Sequence, residues 1–345
     1  MATAGQWVQG ARPRTLPAAI APVLVGTAAA YYSLAVVLRS SGWFSATPEA
    51  AIADQPHAAT GTFSVQTDVT DIPALFAAHA SLSLGAMAGR ALLALVVALA
   101  LQVGVNYAND YSDGIRGTDD ARVGPVRLVG QGLAPARQVK LAAFAAFGVA
   151  ALAGLALVLI TQAWWLILVG LAAIVAAWFY TGGPRPYGYA GLGELFVFVF
   201  FGLVAVVGST YVQTLQITWL AVAGGVACGA LSVAILLANN LRDIPTDTVA
   251  GKHTLAVRMG DRGTRMAYLL AVAAPFLMAV AIAIPDLPWA LLGLLAIPLA
   301  VRPVRVVRSG AVGRDLVPVL AGTGKLLLGY AVALSLGLVV QTFMP

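Results

Sequence analysis

Seven of the chain's 14 acidic residues gather at three places where long apolar runs begin or end. Asp110, Asp113, Asp119 and Asp120 close the second such run, Asp243 and Asp247 close the sixth, and Glu194 opens the fifth. The first cluster reads Asn109-Asp110-Tyr111-Ser112-Asp113-Gly114-Ile115-Arg116-Gly117-Thr118-Asp119. The second reads Asn239-Asn240-Leu241-Arg242-Asp243-Ile244-Pro245-Thr246-Asp247. Asn109 and Asp113 are four residues apart, as are Asn239, Asp243 and Asp247, so each set shares one helix face while the helix lasts. Gly114, Gly117 and Pro245 are then expected to break the helix and let later carboxylates fold back. Two such elements offer hard oxygen ligands and no thiolate, which suits Mg2+ held by one or two carboxylates plus substrate phosphates. Arg116, Arg122, Arg127, Arg242, Lys252 and Arg258 flank the same loops. Cations of this kind are what the uncovered oxygens of a diphosphate need. The plainer alternative is that the acids cap helix ends and pair with Arg122, Arg242 or Arg258; two matched clusters on one side favour the metal reading. For Arg137, Lys140, Arg262 and Arg265 a topological role is preferred.

The elements that position these groups are membrane helices. The chain of 345 residues is 60% hydrophobic and 10% charged, with a mean hydropathy of +0.88. A soluble domain carries roughly 25% charged residues. Spans of about 20 apolar residues are expected at 17–38, 86–108, 139–161, 164–181, 192–213, 218–240, 265–284, 288–302 and 317–342. The first lacks a basic stretch ahead of a cleavage site and reads as a retained span. Seventeen of the 20 Lys and Arg residues then fall on the N-terminal side of the membrane, Arg39 and Arg90 fall on the other, and Lys325 lies within the last span. That asymmetry predicts a multi-pass protein of the cell membrane with its N-terminus cytoplasmic and its C-terminus outside. The net charge of +6 is therefore read as topology, not as a nucleic-acid footprint. The lone Cys228, inside an apolar run, excludes a disulfide framework and a thiolate metal site. Residues 40–85 do not fit the compact plan: Pro48, Pro56 and Pro73 interrupt a polar stretch carrying His57, Glu49, Asp54, Asp68 and Asp71. It is read as a solvated outer loop with a short amphipathic helix near 72–82. Carboxylates at a membrane boundary are costly unless paired or metal-bound, so the three clusters mark function.

Asn-Asp-Tyr-Ser-Asp at 109–113 and Asn-Asn-Leu-Arg-Asp at 239–243 resemble the two aspartate-rich motifs of the UbiA superfamily of intramembrane prenyltransferases. The resemblance covers nearly the whole chain outside 40–85. Four stretches look most like the 1,4-dihydroxy-2-naphthoate polyprenyltransferase (MenA) family of menaquinone synthesis. They are Ala11-Arg12-Pro13-Arg14-Thr15-Leu16-Pro17, the run from Asp113 to Asp119, Tyr180-Thr181-Gly182-Gly183-Pro184, and the run from Asp243 through Gly251-Lys252-His253-Thr254-Leu255. The resemblance implies an all-α, polytopic membrane protein: nine transmembrane helices around a central cavity capped on the cytoplasmic side, with 1–345 as one domain and 40–85 as an outer insertion. It implies that Asn109, Asp113, Asn239, Asp243 and Asp247 hold Mg2+ and the diphosphate. Many superfamily members have another Asp at the place of Gly117, and Asp110 and Asp119 are the candidates to replace it. Arg127 and Lys252, with Arg116, are expected near the diphosphate, and Tyr180 and Thr181 beside the reacting centre. The implied reaction joins a polyprenyl group from its diphosphate to the naphthoate, with loss of CO2 and diphosphate. Its partners are the prenyl donor, an aromatic acid and the bilayer; neither a redox cofactor nor a protein partner is implied. Two rivals stand beside this reading. A transporter would place its ionisable groups nearer the midplane, whereas these acids sit with the basic loops at one face. A same-fold enzyme could act on another aromatic acceptor, such as 4-hydroxybenzoate or homogentisate.

Overall fold

The computed structural model describes residues 2–40, 83–117 and 126–344. The outer stretch with its expected helix near 72–82 therefore lies almost wholly outside the described residues, as do Asp119, Asp120 and Arg122. A short helix, α1 (Ala4–Gly10), is closed by a capping box in which the Thr3 hydroxyl takes the Gln6 amide and the Gln6 side chain takes the Thr3 amide. The long helices follow as α2 (Pro17–Ser40), α3 (Leu84–Ile115), α4 (Ala136–Thr161) and α5 (Leu166–Phe179). Then come α6 (Gly193–Thr214), α7 (Trp219–Val249), α8 (Leu255–Asp286), α9 (Pro288–Arg308) and α10 (Val317–Gln341). Among the described residues there is no strand. The all-α architecture is as expected.

Eight of these helices are long and apolar enough to cross a membrane, and the ninth expected span, α5, falls short at 14 residues. At 1.5 Å per residue α5 reaches only about 21 Å, against a hydrocarbon core of roughly 30 Å. Two other helices outrun their expected ends. α3 continues through Asp113 and Gly114 to Ile115 and stops only where Gly117 takes a left-handed φ of +68°. α7 runs straight through Pro245 to Val249. Pro245 removes one N–H, but the last turn is sealed beyond it. The Ala250 amide bonds the Thr246 carbonyl, and the Lys252 amide bonds that of Asp247. Gly251, at φ +66°, supplies the left-handed step that such a helix end requires. Both motifs therefore ride on continuous helix, and Pro245 and Gly114 do not break it.

α7 is the most enclosed helix, packed against α8, α6, α10 and α2 around a core that includes Leu231, Leu237, Tyr268, Leu327 and Tyr330. Lipid tails are as apolar as these side chains, so helices associate by close packing and small residues carry the tightest crossings. At the α6–α7 crossing Gly202 lies against Gly225 and Gly229; a Cβ on Gly202 would come within 2.5 Å of the Gly229 Cα. The same segment of α6, Val199–Val204, is wound as a π-helix, a widened turn that is frequent beside functional sites. α2 approaches α6 at Gly26, whose carbonyl accepts the Thr210 hydroxyl at 2.9 Å. α2 to α7 thereby enclose a cavity, with the two motifs at one end of it.

Gly202→Leu should lower the thermal midpoint of the purified protein in detergent, since overpacking against backbone costs about 1–3 kcal/mol or more. Gly148→Leu, on the open face of α4 with nothing within 4 Å of its Cβ position, is the control and should leave the midpoint unchanged.

Candidate active site

The cavity holds about 610 Å³ and is apolar over most of its wall. Its polar end is built by α3, α7 and the loops that follow them. Asp113, in the last turn of α3, and Asp247, in the last turn of α7, both line it. Between them stands Lys252, its Nζ 3.6 Å from Asp113 Oδ1 and 3.9 Å from Asp247 Oδ1. All three are buried. The Gly251 turn that ends α7 is what folds Lys252 back beside Asp247. Arg127 joins from the loop after the first motif, with Nη2 3.5 Å from Asp113 Oδ2. Asn109, one turn before Asp113, accepts the Thr181 hydroxyl on its Oδ1 at 2.8 Å, and both line the cavity with Tyr180. The expected set Asn109, Asp113, Asn239, Asp247, Arg127, Lys252 and Tyr180 thus shares one cavity end.

Three expected residues are placed otherwise. Asp110 is 1% exposed and is not part of the cavity wall; its two oxygens accept the amides of Leu128 and Val129 at 2.7 and 3.1 Å. Its side chain is off the wall that Asn109 and Asp113 line, and it anchors the 126–134 loop. Arg116 is exposed and bonds the carbonyls of Thr181 and Gly183, with its guanidinium 5.5 Å from the Tyr189 ring centre. It ties two loops together and does not reach the cavity wall. Asp243 is also off the wall, taken by Arg242 at 2.7 and 2.8 Å, the pairing that the plainer alternative foresaw.

Several residues that the motifs did not single out belong to the site. Tyr189 donates its hydroxyl to Asp113 Oδ1 and offers its ring face to Lys252, 4.5 Å from Nζ. Its carbonyl accepts the His253 amide, which locks the loop after α5 to the loop after α7. Beside it, burial pushes the Tyr187 phenol above its ordinary range, and that hydroxyl donates to the Ala176 carbonyl. Gln102 and Asn106 extend the Asn109–Asp113 face two turns and one turn deeper and both bond the Thr15 hydroxyl, at 2.9 and 3.1 Å. The signal for these two was in the sequence: polar residues at 102, 106, 109 and 113 recur every three or four positions along an otherwise apolar helix. Tyr189 had no such signal, because its place depends on two loops meeting.

The donor set fits a hard divalent cation. Asp113 and Asp247 lie within reach of one ammonium, and Mg2+ keeps few protein ligands where substrate phosphates complete its shell. Among the described residues no group of three or more His, Cys, Asp or Glu could hold a metal alone.

The UbiA prenyltransferase family profile matches residues 71–313. The chain belongs to this family. A relative from Mycobacterium tuberculosis, called 1,4-dihydroxy-2-naphthoate octaprenyltransferase, is 50% identical over 337 residues, covering 97% of each chain. A protein of the same name from Mycobacterium leprae is 46% identical over 97% of this chain and 96% of its own. A UbiA homologue from Archaeoglobus fulgidus, solved bound to GPP and Mg2+, superposes with a TM-score of 0.56 at 15% identity, covering 95% of this chain and 99% of the other. That likeness is one of fold.

Asp110→Ala should release the 126–134 loop, at a cost of about 1–3 kcal/mol for the amides left unpaired. Hydrogen exchange read by mass spectrometry should show faster exchange at 126–134 than in the wild type, with the rest of α3 unaffected. Equal protection in both proteins would refute the anchoring role.

Proposed function

We propose that the protein transfers a polyprenyl group from a polyprenyl diphosphate to 1,4-dihydroxy-2-naphthoate, releasing diphosphate and CO2 in menaquinone synthesis. One observation carries the reading: Asp113 and Asp247, from two separate helices, meet on one Lys252 at the polar end of an otherwise apolar cavity. The names of the relatives that match nearly the whole chain supply the acceptor. The acids and basic loops then face the cytoplasm, the N-terminus with them; nine crossings, with α5 as the fourth, leave the C-terminus outside the cell membrane.

In this mechanism Lys252 and Arg127 bind the diphosphate, leaving their carboxylate partners as its charge is brought in. Asn109, whose Oδ1 is taken by Thr181, turns its amide N–H groups to the phosphate oxygens. Mg2+, held by Asp113 and Asp247, would add Lewis-acid neutralisation of the departing diphosphate. Cations and donors preset where negative charge develops stabilise the transition state without reorganising. The carbon–oxygen bond to diphosphate breaks with its electron pair, and a ring carbon of the naphthoate forms the new carbon–carbon bond. CO2 leaves and returns its bonding pair to the ring. The apolar wall keeps water from the allylic cation or cation-like transition state, and Tyr180 and Thr181 form the wall beside the reacting carbon.

The test is to incubate purified protein with Mg2+, prenyl diphosphates of several lengths and a panel of aromatic acids, and to identify products by mass. A prenylated, decarboxylated naphthoquinol is the expected product, lost on addition of EDTA and restored by Mg2+. Asp113→Ala and Asp247→Ala should each reduce turnover by about 10²-fold or more, with the protein still monodisperse. Near-normal rates in both at saturating Mg2+ would end the metal assignment.

Lys252→Ala should raise the KM for the prenyl diphosphate about tenfold or more and leave that for the acceptor within about twofold, because a fixed ammonium is a specific phosphate partner. The exposed Arg262 serves as control, and Arg262→Ala should match wild type. Indistinguishable kinetics for the two variants would return Lys252 to topology.

A further inference from the structure

We infer that Asn240, held by Glu194, receives a hydroxyl of the aromatic acceptor and so selects and activates that substrate. The inference rests on the proposed function and adds the acceptor side of the same cavity.

Asn240 is 8% exposed and lines the cavity. It lies seven residues, two helical turns, before Asp247, so the two share a face of α7. Its Nδ2 donates to Glu194 Oε1 at 2.9 Å. Glu194 is 6% exposed and sits in the first turn of α6, where the helix dipole favours negative charge. The Asn240 contact sets which edge of the planar amide faces Glu194: the N–H edge. The Asn240 carbonyl oxygen is thereby turned the other way, and it accepts no hydrogen bond from any described residue. In a residue that lines the cavity, that oxygen is an acceptor open to a ligand's donor.

What can bring that donor follows from the substrates' chemistry. An ionised diphosphate has acceptors only, and a prenyl chain has neither donors nor acceptors. The phenolic O–H groups of a dihydroxynaphthoate are the donors available. Asn109 makes the opposite match at the same cavity end: its carbonyl is taken by Thr181, so it offers N–H to an anion. Two asparagines, each fixed by a partner, thus present opposite edges and sort the two substrates. A hydroxyl that donates to a carbonyl gains electron density on its oxygen and releases more of it into the ring, which raises the nucleophilicity of the attacking carbon. Asn240 forms no covalent bond and takes no proton. Glu194 is a positioning residue, acting through Asn240.

The experiment compares acceptors and variants together. Wild type, Asn240→Leu and Glu194→Gln, all full-length, are assayed with Mg2+ and geranyl diphosphate against 1,4-dihydroxy-2-naphthoate and its two analogues that each lack one hydroxyl. Wild type should prefer the dihydroxy acid over one analogue by at least about tenfold in kcat/KM, since a site built to bind a hydroxyl rejects a ligand without it. In Asn240→Leu that preference should fall to within about twofold, through loss on the dihydroxy acid alone, with the KM for geranyl diphosphate unchanged. Glu194→Gln should shift the preference in the same direction. If Asn240→Leu does not yield monodisperse protein, Asn240→Ser, too short to bridge Glu194 and the substrate, takes its place with the same expectation. Undiminished preference in the variants, equal loss on all three acids, or a raised KM for geranyl diphosphate would overturn the assignment while leaving the function intact. No product from wild type with any of the acids would remove the function, and the assignment with it.

Discussion

The site depends on one ammonium shared by two carboxylates. Asp113 and Asp247 come from helices more than a hundred residues apart, and each would repel the other if brought into an apolar cavity without a cation. Lys252 removes that obstacle, and the Tyr189 ring beneath it adds a second favourable contact. A buried pair of this kind gains little over its desolvation penalty, whereas removing one member leaves an uncompensated charge worth several kcal/mol. The arrangement is thus poised, not maximally stable. An incoming metal–diphosphate brings both the cation that the carboxylates need and the anion that Lys252 and Arg127 need.

The loops that carry these charges are tied to one another and not only to their helices. Asp110 holds the 126–134 loop by two amides, Arg116 bonds the carbonyls after α5, and the His253 amide reaches the Tyr189 carbonyl. Each tie is a hydrogen bond or ion pair near the end of a helix, where backbone groups lack intrahelical partners. The polar end is consequently a closed network spanning three loops. The cavity below it is mostly apolar, and its Gln102, Asn106 and Asn240 are bonded to Thr15 and Glu194, a wall that disfavours water where a carbocation-like centre would form.

Small residues set how close the walls stand. Gly202 against Gly225 and Gly229 brings α6 onto α7, and Gly26 brings α2 onto α6. That closeness lets Glu194 of α6 reach Asn240 of α7 across the crossing. The π-helical turn in α6 and the short α5 both contribute to the lining of the cavity.

Hydropathy alone marked every long helix, because an apolar run of 20 residues has few other fates. The spacing of Asn109, Asp113, Asn239 and Asp247 put them on two helix faces by periodicity, and those four did converge on the cavity. Periodicity carries no information on which of several neighbouring acids meets a partner from elsewhere. Asp243 was indistinguishable from Asp247 by type and spacing, yet it is bonded to Arg242, and Asp110, matching Asp113 in type but not in spacing, holds two backbone amides. Pro245 and Gly114 looked like helix breakers because propensity is local, while hydrogen bonds beyond the proline kept α7 intact. Tyr189, Glu194 and Asn240 acquired their roles only when separate loops and helices packed together. The sequence by itself determined the membrane helices and the chemical kinds of side chain at their ends, since both follow from local composition and period. Which of those side chains share a cavity, and which edge each presents, was decided by the tertiary structure, because hydrogen bonds and ion pairs between distant segments obey distance and not sequence.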